Sequence, residues 1–566
     1  MRLRDWLSGI LLFLISSSPK AQVISYAKGY FRYPLAIPPK LNANYGEMRP
    51  NHFHMGLDLY TQKRENLPIY AAADGYVSRL KIEPGGFGRA IYLDHPNGTT
   101  TLYAHMNDFM PELERYLKKR QYEKERWMMD LPLPVDAFPV RKGQFIGYSG
   151  NTGGSQGPHV HFEIRETATE KCINPLLFGF DIADNVPPDL TKLGVYDRNR
   201  STYEQSPSIH PLSKKGTFYQ PAAVIRVNTD RVVISLQASD RMSGFDNPNG
   251  IFGVKLFEGD RLMGGFSLDR IGYDETRYLN AHIDYRYKLS GGSYLQHVFP
   301  LPGDMLGIYL NERGKGSIRL TDSAVRHFRL EVYDPYGNRS EARFSLQKKG
   351  GLSIGKQEDG ALMRAGEIGV YETEQLQVVL PEKGLYDSVH LTHASLPDIG
   401  PMAFSPKHEV HRFTTPVHQN FTIRIKADKP VPYTMRDRML IRKTSNNDTQ
   451  VRKASWELGW YVAAFREFGG FQLVSDDTPP QISFNGLLDG GSAASMKSIV
   501  VTTRDDHKTV KNFRAELDGK WLMFSQKGTT FSYRFDEHCP SGKHTLSVSI
   551  EDEAGNKTTR NVVFYR

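Results

Sequence analysis

Two stretches of the chain, far apart, begin and end with the same phrases. Asp184-Asn185-Val186-Pro187-Pro188-Asp189-Leu190 resembles Asp476-Asp477-Thr478-Pro479-Pro480-Gln481-Ile482. Downstream, Val332-Tyr333-Asp334-Pro335-Tyr336-Gly337-Asn338-Arg339-Ser340 matches Ile550-Glu551-Asp552-Glu553-Ala554-Gly555-Asn556-Lys557-Thr558. Each later phrase joins an apolar strand end to a Gly-Asn turn and a further strand, which is a hairpin signal. Between them lie short runs such as Val232-Val233-Ile234-Ser235-Leu236 and Ser498-Ile499-Val500-Val501-Thr502. Short strands separated by turns predict antiparallel β-sandwich modules. One is expected over 184–348, enlarged by an insertion around Asp274–Arg319, and another over 476–566. The stretch 349–475 has strand-like pieces, Leu376–Leu380 and Phe421–Ile425, without the terminal phrases, and is expected to be a further β-sandwich.

The two phrase-bounded modules resemble the Ig-like modules of exported bacterial proteins. None of the three stretches shows a cluster of ligand-type residues in sequence, so the expectation for 184–566 is a spacer or a module that binds the wall or a partner protein of the envelope. At about 150 residues per domain, 566 residues predict three or four domains. Aromatics at 11% favour sheet-rich structure. With only Cys172 and Cys539, a disulfide scaffold and a zinc ribbon are both excluded. A Cys172–Cys539 bridge would need the first and last domains to dock; otherwise both are buried thiols.

The first residues, Met1-Arg2-Leu3-Arg4, precede an apolar stretch from Leu7 to Ile15 and a small-residue exit ending near Ala21. That order predicts a secretory signal over 1–21, too short to span a bilayer. No later run approaches ~18 uninterrupted apolar residues, so the expectation is an exported chain, periplasmic or extracellular and associated with the envelope, with no integral membrane segment after signal removal. Removing Arg2, Arg4 and Lys20 together with Asp5 takes the net charge from +9 to +7. A dispersed positive balance suits an anionic polymer such as a cell wall. No basic stripe with interleaved aromatics favours nucleic acid.

The chemical histidines are concentrated before residue 165. Asn51-His52-Phe53-His54-Met55-Gly56-Leu57-Asp58 sets a His and an Asp four apart. On a flat strand they would lie ~13 Å apart, so they can share an ion only if the chain kinks, which Gly56 permits. Gly157-Pro158-His159-Val160-His161-Phe162-Glu163-Ile164 alternates polar and apolar residues, a strand with both imidazoles on one face. Tyr103-Ala104-His105 ends another strand, and His95 falls in a turn where it is expected to be solvated. Histidine nitrogen and carboxylate oxygen are zinc ligands, and a catalytic zinc takes three protein ligands and keeps one position for water.

These motifs are similar to those of the M23 peptidases, the LytM or lysostaphin-type zinc endopeptidases of peptidoglycan. The resemblance covers roughly residues 30–180. It includes Tyr45-Gly46-Glu47-Met48-Arg49, Pro68-Ile69-Tyr70-Ala71-Ala72-Ala73-Asp74-Gly75, Val140-Arg141-Lys142-Gly143-Gln144-Phe145-Ile146-Gly147 and Gly150-Asn151-Thr152-Gly153. It implies that His54, Asp58 and His161 bind one Zn2+, that His105 and His159 are the catalytic histidines, and that His52 sits at the rim. It also implies a mostly antiparallel β-sheet domain over 22–183, making the whole chain mainly β.

The stretch between His105 and Val140 is unusually long. A helical insertion is expected within about 107–135, capped by Asn107 or Asp108, with Pro111 in its first turn and Leu113, Tyr116 and Leu117 on one face. It could wall the groove or decorate the surface. Leu131-Pro132-Leu133-Pro134 ends it. The resemblance implies a zinc metalloendopeptidase that cuts stem or cross-link peptides of peptidoglycan by a zinc-activated water. The alternatives are a non-catalytic wall-binding or hydrolase-activating protein that keeps the fold, and a metallopeptidase of other exported proteins.

Overall fold

The computed structural model describes residues 26–244, 246–310, 314–350, 359–397, 400, 402–446, 448–508 and 510–566. The expected signal segment lies outside the described residues. The chain is mainly β, as its strand-and-turn pattern predicts.

The N-terminal region is built on one twisted antiparallel sheet. Its strands are β1 (Leu41–Ala43), β2 (Leu57–Tyr60), β3 (Gly75–Ile82), β4 (Arg89–Asp94), β5 (Thr99–Ala104), β6 (Met129–Pro132) and β7 (His159–Glu166), in the spatial order β1-β2-β7-β5-β4-β3-β6. A short strand β8 (Cys172–Ile173) continues from β7 and pairs in turn with β9 (Arg270–Ile271) of the next module. The sheet therefore runs across the module boundary. Apolar residues of alternate strand positions, among them Leu59, Leu80, Ile91, Tyr103, Phe162 and Ile164, fill its core. That alternation is what leaves His159, His161 and Glu163 together on the opposite face of β7.

The expected helix is α1 (Pro111–Glu123), with Pro111 in its first turn and Leu113 and Leu117 buried. Tyr116 is only half-buried; Gln121 takes the third buried place and donates to the Trp127 carbonyl. The capping expectation fails. Met110 occupies the N-cap without a side-chain bond, because Asp108–Phe109 is drawn into a strand pair with Gly147 and Tyr148. Instead, the Glu114 carboxylate accepts from the Phe109 amide and pairs with Arg89. The helix docks the last module: Lys118 pairs with Asp536 and Glu537, Tyr122 stacks on the His538 ring at 3.6 Å, and Glu125 meets Arg514.

The C-terminal stretches are pairs of packed sheets. In both phrase-bounded modules the recurring words touch each other. The Asn338 side chain donates to the Asp184 carbonyl and Asn556 to the Asp476 carbonyl; Ser340 and Thr558 donate to the Pro188 and Pro480 carbonyls. The repeat is thus a clasp between an entering linker and a hairpin turn. The hairpins are Arg326–Tyr333 with Arg339–Lys348, and Lys543–Asp552 with Lys557–Tyr565. The insertion in the first of these modules folds back as short helices over the N-terminal sheet, where Thr276 accepts from the Phe53 amide and Asn280 donates to Asn51. Cys172 and Cys539 are both buried free thiols, not joined in a disulfide.

Candidate metal centre

Strand register brings the separated motifs together. On β7, His161 lies opposite Asp58 of β2 on one side and Ala104 of β5 on the other, and His159 lies opposite Tyr60. His105 follows Ala104 directly and so reaches the same spot. His54 arrives from the turn before β2. The kink at Gly56 does not use the left-handed region. A side chain there would meet the Phe162 carbonyl oxygen at 2.4 Å and the Glu163 Cγ at 2.9 Å, so glycine is required because two backbones approach closely.

The result is a triangle of donor atoms. His54 Nε2 is 2.9 Å from Asp58 Oδ1 and 3.0 Å from His161 Nδ1, and His161 Nδ1 is 3.0 Å from Asp58 Oδ1. All three residues are buried. Each is held from behind. His54 Nδ1 donates to the Asn44 carbonyl at 2.7 Å, and His161 Nε2 donates to Glu163 at 2.8 Å. Arg49 donates to Asp58 Oδ2 at 2.7 Å. The outer ring nitrogens are committed as donors, so the inner nitrogens are the ones left to face one point, the arrangement that metal-binding histidines adopt.

His105 and His159 flank the triangle with ring centroids 4.7 Å apart. His105 has φ of 60°, a left-handed backbone costly for a residue with a side chain. It is held there by a bond from its amide to the Phe87 carbonyl at 2.9 Å and from Nδ1 to the Thr152 carbonyl at 2.9 Å. His159 Nδ1 donates to the Gly157 carbonyl at 2.8 Å, leaving Nε2 3.4 Å from Asp58 Oδ1. His52 is exposed and bonded to the Pro50 carbonyl, outside the triangle. His95 is a correction: it is buried, not solvated, and bridges the Asp74 carbonyl and the Thr101 hydroxyl because its turn folds under β3 and β5.

The electrostatics follow from burial and neighbours. Burial pushes His54 below its ordinary range, against the pull of Asp58. Burial, with His161 and His159 nearby, takes His105 down to about 3. For His161 burial alone would lower the value, but Asp58 and Glu163 outweigh it and raise it to about 9. Burial likewise opposes ionisation of Glu163, yet Arg165 and His161 hold it down to about 2.

Glu163, Arg49, Asn44 and Tyr273 are contributors that the motif reading passed over. Glu163 was open to discovery, since it stands two residues beyond His161 on the same strand face. Tyr273 was not. It comes from the following module, where its hydroxyl donates to Glu163 Oε1 and its ring lies beneath the Arg165 guanidinium.

Residues 52–122 and 137–175 match the model of peptidase family M23, and residues 360–476 match that of a Zu5-like domain. The chain carries a peptidase family M23 domain. Over 158 residues it is 30% identical to an uncharacterized metalloprotease of Haemophilus influenzae, a match covering 26% of this chain and 27% of that protein. Over 143 residues it is 32% identical to the DD-carboxypeptidase/endopeptidase Mpg of Neisseria meningitidis, covering 24% and 27%. The catalytic domain of the antimicrobial peptidase lysostaphin from Staphylococcus simulans matches at 23% identity and a TM-score of 0.19, covering 25% of this chain and 91% of that one. The chain spans about a quarter of the length of the curated relatives it matches. The triangle and both flanking histidines lie within the M23 match.

Proposed function

We propose that this chain is an exported, zinc-dependent endopeptidase that hydrolyses peptide cross-links of peptidoglycan. The observation that carries this reading is the triangle of His54, Asp58 and His161 with two further histidines beside it. The donors fit zinc. Bonds of about 2.0–2.1 Å in a tetrahedron separate ligands by about 3.4 Å, and the present separations of 2.9–3.0 Å need to open only slightly. Two nitrogens and one carboxylate oxygen leave a fourth position, as a catalytic site requires.

When bound, zinc supplies an acidified water and polarisation of the scissile carbonyl. The remaining work falls to this chain. The His105 Nδ1 proton is spent on the Thr152 carbonyl, so its Nε2 is the nitrogen left with a lone pair to accept a proton. His159 is fixed in the same tautomer by Gly157, with Nε2 turned towards Asp58. The pair can take the proton from attacking water and return one to the leaving amine. The Glu163–His161 and Asn44–His54 bonds keep the ligand rings from rotating. Similarity to the peptidoglycan DD-endopeptidase ShyA of Vibrio cholerae, 25% identical over 169 residues, supports a peptidoglycan peptide as substrate, and the basic charge suits an anionic wall.

The test incubates the purified mature chain with peptidoglycan and analyses the released muropeptides, alongside His161→Ala and His105→Ala. New amino termini from cross-link peptides, absent in both variants, are expected. His161→Ala is expected to lose zinc and His105→Ala to keep most of it. Equal behaviour of wild type and variants contradicts the proposal and favours a wall-binding role.

A further inference from the structure

The recurring phrases hold a second cluster of ligand atoms that sequence order hides. Asp184, Asp240 and Asp334 each place a carboxylate oxygen within 4.8 Å of the others. Asp240 and Asp334 are 2% and 1% exposed. Local donors account for part of the set. Asp334 accepts from the amides of Tyr336 and Asn338 and from the Asn338 side chain, and Asp184 Oδ1 accepts from Val186 and Ser243. Asp240 Oδ1 is buried and has no donor.

Directly opposite stands Asn249. It exchanges both backbone hydrogen bonds with Asp240, at 2.9 and 2.8 Å, so the two side chains leave the same face. Asn249 is 4% exposed, and its Oδ1 is also buried without a donor. Among the described residues no lysine, arginine or histidine forms an ion pair with any of the three aspartates. Buried acceptors without donors and buried like charges without counter-charge are each costly, and one cation relieves both.

We infer that Asp184, Asp240, Asp334 and Asn249 hold a divalent cation of calcium's class where the linker enters the first β-module. The donors are oxygens only, which suits a hard cation rather than zinc. Their irregular origin, from a linker, a strand end, a facing bridge and a hairpin turn, fits the flexible coordination of calcium better than the strict octahedron of magnesium. Burial and the two neighbouring carboxylates push Asp240 up to about 8, consistent with a site built for a positive charge. The corresponding corner of the last module differs. There His507 stands 3.7 Å from Asp476, a nitrogen-bearing side chain with no counterpart among Asp184, Asp240 and Asp334, and no cation is assigned.

The location ties the site to the M23 domain. Asn249 leads into Gly250, whose carbonyl accepts from the Asn44 side chain at 2.8 Å and whose amide donates to it at 3.0 Å. The Asn44 carbonyl in turn holds His54. A cation that fixes Asp240 and Asn249 therefore steadies the clamp behind that ligand.

The test titrates calcium into the full chain, zinc-loaded and in calcium-free buffer, by calorimetry and thermal unfolding. Wild type is expected to bind and to melt higher with calcium. Asp240→Asn is expected to bind at least ten-fold more weakly, yet to melt at or above wild type without calcium, because a carboxyl whose ionised form is disfavoured by burial and by two neighbouring carboxylates is gone. Asn249→Ala, which keeps every carboxylate, is expected to weaken binding several-fold. Asp506→Asn is expected to leave the calcium response intact. No heat and no melting shift up to about 10 mM calcium, above the range of extracellular calcium modules, overturns the inference. So does a response unchanged in both Asp240→Asn and Asn249→Ala, or one lost only in Asp506→Asn.

Discussion

Glu163→Gln is the substitution that separates support of the metal centre from the centre itself. The Glu163 side chain is 0% exposed. One oxygen takes His161 Nε2 at 2.8 Å and the Tyr273 hydroxyl; the other takes Arg165 Nε at 2.7 Å and faces the Cys172 thiol at 3.3 Å. A glutamine keeps the shape but removes the charge. Arg165, whose side chain is 5% exposed, then keeps, among the described residues, only the distant Glu170 at 4.0 Å as a carboxylate neighbour. Breaking a buried pair costs about 3–5 kcal/mol. The lower end applies here, because the guanidinium retains the faces of Tyr273 and Tyr92 at 4.8 and 5.3 Å. Loss of a carboxylate behind a ligating histidine lowers metal affinity by about 10–100-fold. The assay is urea unfolding of the metal-free chain together with zinc affinity by chelator competition. Expected are a loss of about 3 kcal/mol and at least a ten-fold weaker zinc affinity, with His54 and Asp58 intact. Unchanged stability and affinity would refute the reasoning.

Gly56→Ala should destabilise by about 1–3 kcal/mol and weaken zinc binding, since its Cβ must push β7 away; unchanged unfolding and metal affinity would show that the strands tolerate separation. Tyr273→Phe should reduce zinc affinity several-fold with little change in urea midpoint, measured by the same competition, because only the hydroxyl on Glu163 is lost. The pH dependence has a fixed sign. His161 is raised from 6.5 to about 9 in the metal-free protein, so the stability it contributes is full below about pH 6.5 and fades as pH rises through 9. Zinc must displace that proton, so zinc affinity should climb across the same window; a flat affinity profile between pH 6.5 and 9 would contradict this.

Most of the metal centre was legible because strand chemistry writes it locally. His159 and His161 share a face by alternation, and His105 marks a strand end. What alternation cannot give is register across strands, which alone sets Asp58 against His161. The sequence marks Gly56 as the place where the chain can kink, but carries no sign that close packing against β7 is what requires glycine there. The expectation of a solvated His95 fails because its turn sequence carries no sign of the strands that cover it. The modules' strands and clasp phrases followed from pattern. Their contacts with the M23 domain, through Tyr273, Asn280 and α1, involve residues far apart in sequence and leave no periodic trace.

The most direct test is zinc X-ray absorption on the purified wild-type chain, with metal content measured on the same sample. The account predicts one zinc per chain with only nitrogen and oxygen ligands at about 2.0–2.1 Å, and its loss in His161→Ala. A sulfur ligand at about 2.3 Å, or full zinc occupancy in His161→Ala, would contradict it.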